Sequence, residues 1–222
     1  MMDNNVIQKC IDFAYECLIN TDVVHPEIKD YAKTYRFEHS LRVMQNAKML
    51  AEVEIEKGSN VNLLTCMISS ILHDIGKFKC FIIDEEHGIL GSKMARPFLE
   101  GLGLEKKQID DICYCISAHS GNFKVYEYED ILEAHIVQEA DDIDRYGMYR
   151  VYCQISDYEA EESSFEGKAN RAKRYIEKLN RELEKVIAVT DLGKKIITEE
   201  IKLQILALTG YYEQMAKTKG IE

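Results

Sequence analysis

The sequence predicts an all-α protein, a bundle of helices completed by a helical pair towards its C-terminal end. Three observations carry this expectation. Proline occurs only at positions 26 and 97 and glycine only 12 times in 222 residues, which disfavours a turn-rich β architecture. Apolar residues recur three and four apart in one segment after another. The segments are punctuated by clusters that stop helices, such as Asn20-Thr21-Asp22, Gly58-Ser59-Asn60 and Gly101-Leu102-Gly103.

Taken in order, Val6 to Ile19 is amphipathic, and His25-Pro26 opens the next piece, with His25 expected at the surface. A helix follows from about Arg36 to Lys57, with Leu41, Met44, Ala47, Leu50 and Ala51 on one face. Val61 to Leu72 is apolar on most of its circumference and reads as a buried central helix. Gly76 lets the backbone turn or approach a neighbour closely. A short loop through Asp84-Glu85-Glu86 leads into a helix from His87 to Leu99, in which Gly88 and Gly91 permit close packing.

The next helix, Glu105 to about Ala118, turns Ile109, Ile112 and Ile116 inward, and Gly121-Asn122 ends it. Tyr126 to Asp130 reads as a polar, aromatic loop whose tyrosines cover the core. A helix beginning near Asp130 then carries Ile131, Ala134, Ile136, Val137 and Ala140 into Asp141. After Tyr158 the string EAEESSFEGK is acidic and small, and is expected to be a mobile loop able to gate a site. Arg171 to Val189 and Asp191 to Lys217 read as two long amphipathic helices, with Thr190-Asp191 capping the second. They suit a hairpin against the core or a homodimer contact. The expectation is one domain over 1–222, with its motif-bearing core at about 35–147 and its C-terminal helices at about 165–217.

Composition excludes some functions. A formal net charge of −11 argues against coating a nucleic-acid polymer, because such binding draws on clustered Lys and Arg. No apolar run is long enough to span a bilayer. Seven cysteines, and a polar start with the following apolar stretch broken by Lys9, Asp12 and Glu16, point to a cytoplasmic protein with free thiols. Cys113 and Cys115 form CYC rather than a zinc pair, and Cys113 lies on the stripe of Ile109, Ile112 and Ile116, so a core position is expected.

The chemistry concentrates on His73-Asp74 in SSILHDIGKF, with His39 before it in YRFEHSLRV and Asp141 after it in QEADDIDRYG. An acid and an imidazole at the end of a buried helix need a partner, and a metal ion or a hydrogen-bonded ion pair satisfies both. Two imidazoles with two carboxylates suit a divalent ion, with iron, manganese, nickel or magnesium served as readily as zinc. Arg42 lies three residues from His39 on the same helix face, where it can hold a ligand carboxylate or a substrate phosphate. Lys77 lies four residues after His73, and its ammonium reaches a bound phosphate if helical geometry persists that far.

These strings, in this order, closely resemble the HD superfamily of metal-dependent phosphohydrolases. His87 in EEHGILGS and His119 in ISAHSG match further histidines that many such proteins place between the HD pair and the last Asp. The resemblance covers roughly Tyr35 to Gly147; a bare His-Asp dipeptide would mean nothing by itself. It implies an all-helical HD-domain fold and selects Asp141 over Asp142 as a ligand. It also implies hydrolysis of a phosphate ester or phosphoanhydride of a small nucleotide, as in stand-alone bacterial enzymes that cleave nucleoside triphosphates or dinucleoside polyphosphates.

On that reading His39, His73, Asp74 and Asp141 hold one divalent ion. His87 and His119 either bind a second, with Asp74 bridging, or serve as acid-base and phosphate-binding groups. Lys77, Arg42 and Arg145 neutralise charge that develops in the transition state, and Asp144 or Arg145 can orient a ligand. Two other classes share the same residues. Some HD-fold proteins resemble dinuclear iron oxygenases, for which the six-ligand set is equally suited, and a non-catalytic nucleotide-binding protein would need no ligands at all.

Overall fold

The structure is a computed structural model that describes residues 2–22, 30–80, 86–121, 128–162 and 164–217. His25-Pro26, Asp84-Glu85, Asn122 and Tyr126 lie outside the described residues. Among those described, the chain forms nine α-helices and no strand, as the spacing of apolar residues predicts. They are α1 (Met2–Leu18), α2 (Asp30–Glu56), α3 (Leu63–Leu72), α4 (His87–Glu100), α5 (Lys106–Ala118), α6 (Leu132–Tyr146), α7 (Met148–Glu161), α8 (Phe165–Leu183) and α9 (Asp191–Ala216). None is long and apolar enough to cross a membrane. The chain divides into two compact units, 1–144 and 145–222.

In the first unit α3 is the central element. Asn62 caps it by accepting the Thr65 N–H at 3.0 Å, and seven of its ten residues are buried. Ile68, Ile71, Leu72 and Ile75 pack with Cys10 and Ala14 of α1, Met44 of α2, Ala95 and Leu99 of α4, and Ile109, Ile112, Cys113 and Ile116 of α5. Cys113 thus occupies the core position its stripe predicts. A smaller cluster joins Tyr114, Cys115 and Ala118 of α5 to Ala134 and Val137 of α6, covered by Tyr128, whose ring stacks on Tyr114 at 4.6 Å. Helix α2 begins six residues earlier than the expected start at Arg36, which gives the residues before His39 a helical register.

After α3 the chain does not continue as an α-helix. The amides of Ile75, Lys77 and Lys79 bond to the carbonyls of Leu72, Asp74 and Gly76, three residues back, so residues 73–79 form tight consecutive turns. Gly76 is required there. A Cβ on it would collide with the carbonyl oxygen of His87 and the backbone nitrogen of Gly91. Gly88 is similarly pressed against the carbonyl of Ile116. The glycines let the turn after α3, the start of α4 and the end of α5 meet backbone to backbone.

In the second unit α7, α8 and α9 pack on one another, and Gln204 of α9, fully buried, donates to the Tyr146 and Gly147 carbonyls. The acidic stretch expected as a mobile loop is largely helical. Helix α7 runs through Glu161, held by the buried Tyr158, and Ser164 caps α8 by accepting the Gly167 N–H at 3.0 Å. Glu159 and Glu161 pair with Lys168 and Arg171 of α8, so charges that look loop-like in composition are partnered between helices. Helix α8 stops at Leu183, short of the expected Val189. Ile187 beyond it is 87% exposed, which leaves no apolar burial to prolong the helix. Helix α9 opens as its cap predicts, Thr190 accepting the Gly193 N–H at 2.9 Å.

Candidate metal centre

Four imidazoles reach one point from four elements: His39 from α2, His73 from the end of α3, His87 from the first position of α4 and His119 from the end of α5. Their Nδ1 atoms are all taken. His73 donates to the Ser70 carbonyl at 2.6 Å and His119 to the Ile116 carbonyl at 2.7 Å, each bonding back one turn at its helix end. His39 Nδ1 meets Asp144 at 2.6 Å, and His87 Nδ1 meets Glu86 at 3.0 Å. Carbonyls and carboxylates only accept, so each Nδ1 carries a proton, and the Nε2 atoms face inward, that of His39 towards Asp141.

Those Nε2 atoms crowd together, His39 to His73 at 3.3 Å and His87 to His119 at 3.0 Å. The carboxylates complete the cluster. Asp141 Oδ1 lies 3.1 Å from His39 Nε2 and 3.8 Å from His73 Nε2. Asp74 faces two ways: Oδ2 lies 3.7 Å from His73 and 3.9 Å from His39, while Oδ1 lies 3.4 Å from His87. Two triads, His39/His73/Asp141 and His73/Asp74/His119, each bring their donor atoms within 4.8 Å of one another. Ring nitrogens facing one another at such distances, with carboxylate donors interleaved, make a donor set that fits a divalent cation.

Burial and charge set the protonation states. Burial lowers His73 to about 4 and, against the pull of Asp74, lowers His87 to about 4 as well, so both rings are neutral and able to ligate near neutral pH. Burial also disfavours charge on His39, but hydrogen bonds to Asp141 and Asp144 outweigh it and raise that ring to about 9, so it can ligate an ion only by giving up its Nε2 proton. Asp74 is deeply buried, which opposes its ionisation, yet His73, Arg36, Lys77 and His39 hold it well below the usual carboxylate range. Asp141 is likewise held low by His39 against its burial.

The cations around the cluster divide by task. Arg42, expected near it, gives two hydrogen bonds to Asp144, at 2.5 and 3.1 Å, and so braces the carboxylate that orients His39. Lys77 lies 4.0 Å from Asp74 Oδ1 and 3.4 Å from His87 Nε2, carried there by a tight turn rather than by continued helix. Arg145 opens the second unit; its guanidinium lies 3.8 Å from Glu182 and over the Tyr146 ring. His135 bonds to Asp130 at 2.8 Å.

Two residues escaped the sequence reading. Arg36 Nη1 donates to Asp74 Oδ2 at 2.8 Å, and Glu86 both caps α4 and holds His87. Arg36 lies three residues before His39, the same spacing that drew attention to Arg42. An acid directly before a helix-opening histidine would have pointed to Glu86.

A family model described as the HD domain matches residues 36–146, half of the chain. Similar solved structures include Bacillus subtilis YpgQ in complex with ADP, 18% identical over all of this chain and 99% of that one, with a TM-score of 0.65. An HD-superfamily hydrolase from Bacillus thuringiensis is 18% identical over 99% of this chain and 100% of that one, at a TM-score of 0.64. One described as a predicted HD superfamily hydrolase from an uncultured Thermotogales bacterium is 17% identical over 93% of this chain and 91% of that one, at 0.60. No curated protein matches. An all-helical fold, the ordered strings and the family match together define the class of this protein: the chain belongs to the HD-domain family.

Proposed function

We propose that this protein is a divalent-metal-dependent phosphohydrolase acting on a small nucleotide. The observation that carries the reading is the inward convergence of four imidazole Nε2 atoms, each fixed through its Nδ1, on two carboxylates held ionised. His39, His73, Asp74 and Asp141 would hold an ion of the iron, manganese, nickel, magnesium or zinc class. The two faces of Asp74 support a second ion shared with His87 and His119. Such ions supply Lewis acidity, neutralising phosphoryl charge and lowering the pKa of water.

The chain's own side chains have distinct tasks in this reading. Lys77 offers its ammonium to a phosphoryl oxygen beside the cluster. Arg36 holds Asp74 ionised and aimed, while Asp144, Arg42 and Glu86 keep the Nδ1 protons in place on His39 and His87. The nucleotide class draws on the ADP complex of YpgQ and on the chain's net charge of −11, which would repel a polynucleotide along most of its length.

The test is to purify the wild type and Asp74→Ala, measure bound metal, and assay hydrolysis across nucleoside mono-, di- and triphosphates. Asp74→Ala should lose both metal and turnover; a variant that kept its metal and its rate would end the proposal, as would a preference for polynucleotides. The six-ligand set also favours a second reading, a dinuclear iron oxygenase. Oxygen uptake without phosphate release would establish that one instead.

A further inference from the structure

The second unit has a cavity of its own with a composition unlike the rest of the chain. Residues 1–144 carry 14 Lys and Arg against 26 Asp and Glu, whereas α8 alone carries six basic residues against three acidic ones. Three of the six, Arg171, Arg174 and Lys178, follow one another at i, i+3 and i+7 on one face of α8, over about 10 Å of helix axis. Together with Tyr175, and with Gln154 and Tyr158 of α7, they line an open cavity of about 290 Å³ with no carboxylate among its described lining residues.

The walls are held in place by their own contacts. Tyr158 is 2% exposed, and its hydroxyl donates to Gln154 Oε1 at 3.3 Å, leaving the Gln154 amide N–H groups as donors. Arg171 rests over the Tyr158 ring at 5.4 Å and pairs with Glu161 at the rim; Lys178 lies over Tyr175 at 5.7 Å, with Glu182 3.7 Å from its ammonium. Arg174 makes no hydrogen bond or ion pair among the described residues. Arg171 and Lys178 each keep a carboxylate at the rim while Arg174 has none, and a multiply charged anion seated among the three cations would satisfy planar guanidinium donors in pairs.

We propose that this cavity is a binding site for a small phosphoryl oxyanion of the pyrophosphate class, independent of the His/Asp cluster. Three cations spread along α8 match a ligand with charge on two linked phosphoryl groups better than a single phosphate.

Calorimetric titration of the full chain with inorganic pyrophosphate tests this, using wild type, Asp74→Ala, Arg174→Gln and Lys178→Gln. Saturable binding should persist in Asp74→Ala, with phosphate and sulfate weaker. It should weaken about tenfold or more in Arg174→Gln, the loss of one charge-assisted contact, and also fall in Lys178→Gln. Both substituted positions are exposed on a helix, so unchanged circular dichroism should accompany the loss. Absence of saturable binding, unchanged affinity in both α8 variants, or equal affinity for sulfate would overturn the proposal. If Asp74→Ala fails to fold, the two α8 variants in the wild-type background decide the question by the same criteria.

Discussion

Asp144 Oδ2 lies 2.6 Å from Nδ1 of His39, while Asp141, one turn earlier on α6, reaches the Nε2 of the same ring at 3.1 Å. One helix therefore grips both nitrogens of one imidazole, and Arg42 braces the outer grip. Asp144→Asn keeps the shape but removes the charge that favours an Nδ1 proton. It should lower metal affinity roughly 10- to 100-fold with little change in thermal stability, as carboxylates behind metal-binding histidines generally do. Metal titration of the purified variant checks this, and unchanged affinity would remove Asp144 from the site.

His119→Ala bears on the number of ions. Under anaerobic loading with iron or manganese, the wild type should approach two ions per chain and the variant one, because His119 belongs to the second triad and not to the first. Elemental analysis settles it. Saturation of the wild type at one ion, with no change in the variant, favours a mononuclear centre.

Lys77→Ala should cost kcat/KM on nucleotides about 1 to 3 kcal/mol of transition-state stabilisation, the range of a lost charge-assisted phosphate contact. Its ammonium stands 4.0 Å from Asp74, whereas Arg36 donates to that carboxylate at 2.8 Å and keeps it ionised without Lys77, so bound metal should stay constant. Steady-state kinetics with metal content measured in parallel separates the two effects.

Cysteine reactivity should divide the chain by depth. Burial pushes the Cys10 thiol up to about 12 and that of Cys66 well above its ordinary value. The thiolate is the nucleophile, so raising the pH from 7 towards 9 increases the reactive fraction only where the thiolate can form. Iodoacetamide should label the partly exposed Cys80 and Cys153 faster with each step of pH, while Cys10, Cys66, Cys113 and Cys115 stay unmodified. Mass spectrometry reads the pattern; labelling of Cys115 at the rate of Cys153 would mean that the core opens.

The helices of the first unit and the six ligand-type side chains were legible because each left a local trace: an apolar stripe of helical period, or a histidine in a distinctive string. What escaped depended on partners distant in sequence. Arg36 looked like the first residue of a helix, and only the earlier start at Asp30 and the approach of Asp74, 38 residues on, give it a task. The acidic stretch after Tyr158 misled because composition records charge but not pairing. Lys168 and Arg171 sit opposite Glu159 and Glu161, and that opposition turns a loop-like string into two helix ends. Lys77 was placed near the cluster by assuming helix, and tight turns bring it there instead.

Gly76 has a mechanical consequence. Its backbone is wedged against the His87 carbonyl and the Gly91 nitrogen, so the segment bearing His73-Asp74 and the first turn of α4 behave as one stiff bracket. A displacement of α4 should carry His87 and Asp74 together. His39 rides on α2, outside that bracket, and Asp141 on α6. A change in the width of the cluster should therefore fall between the bracket and these two rather than within the bracket.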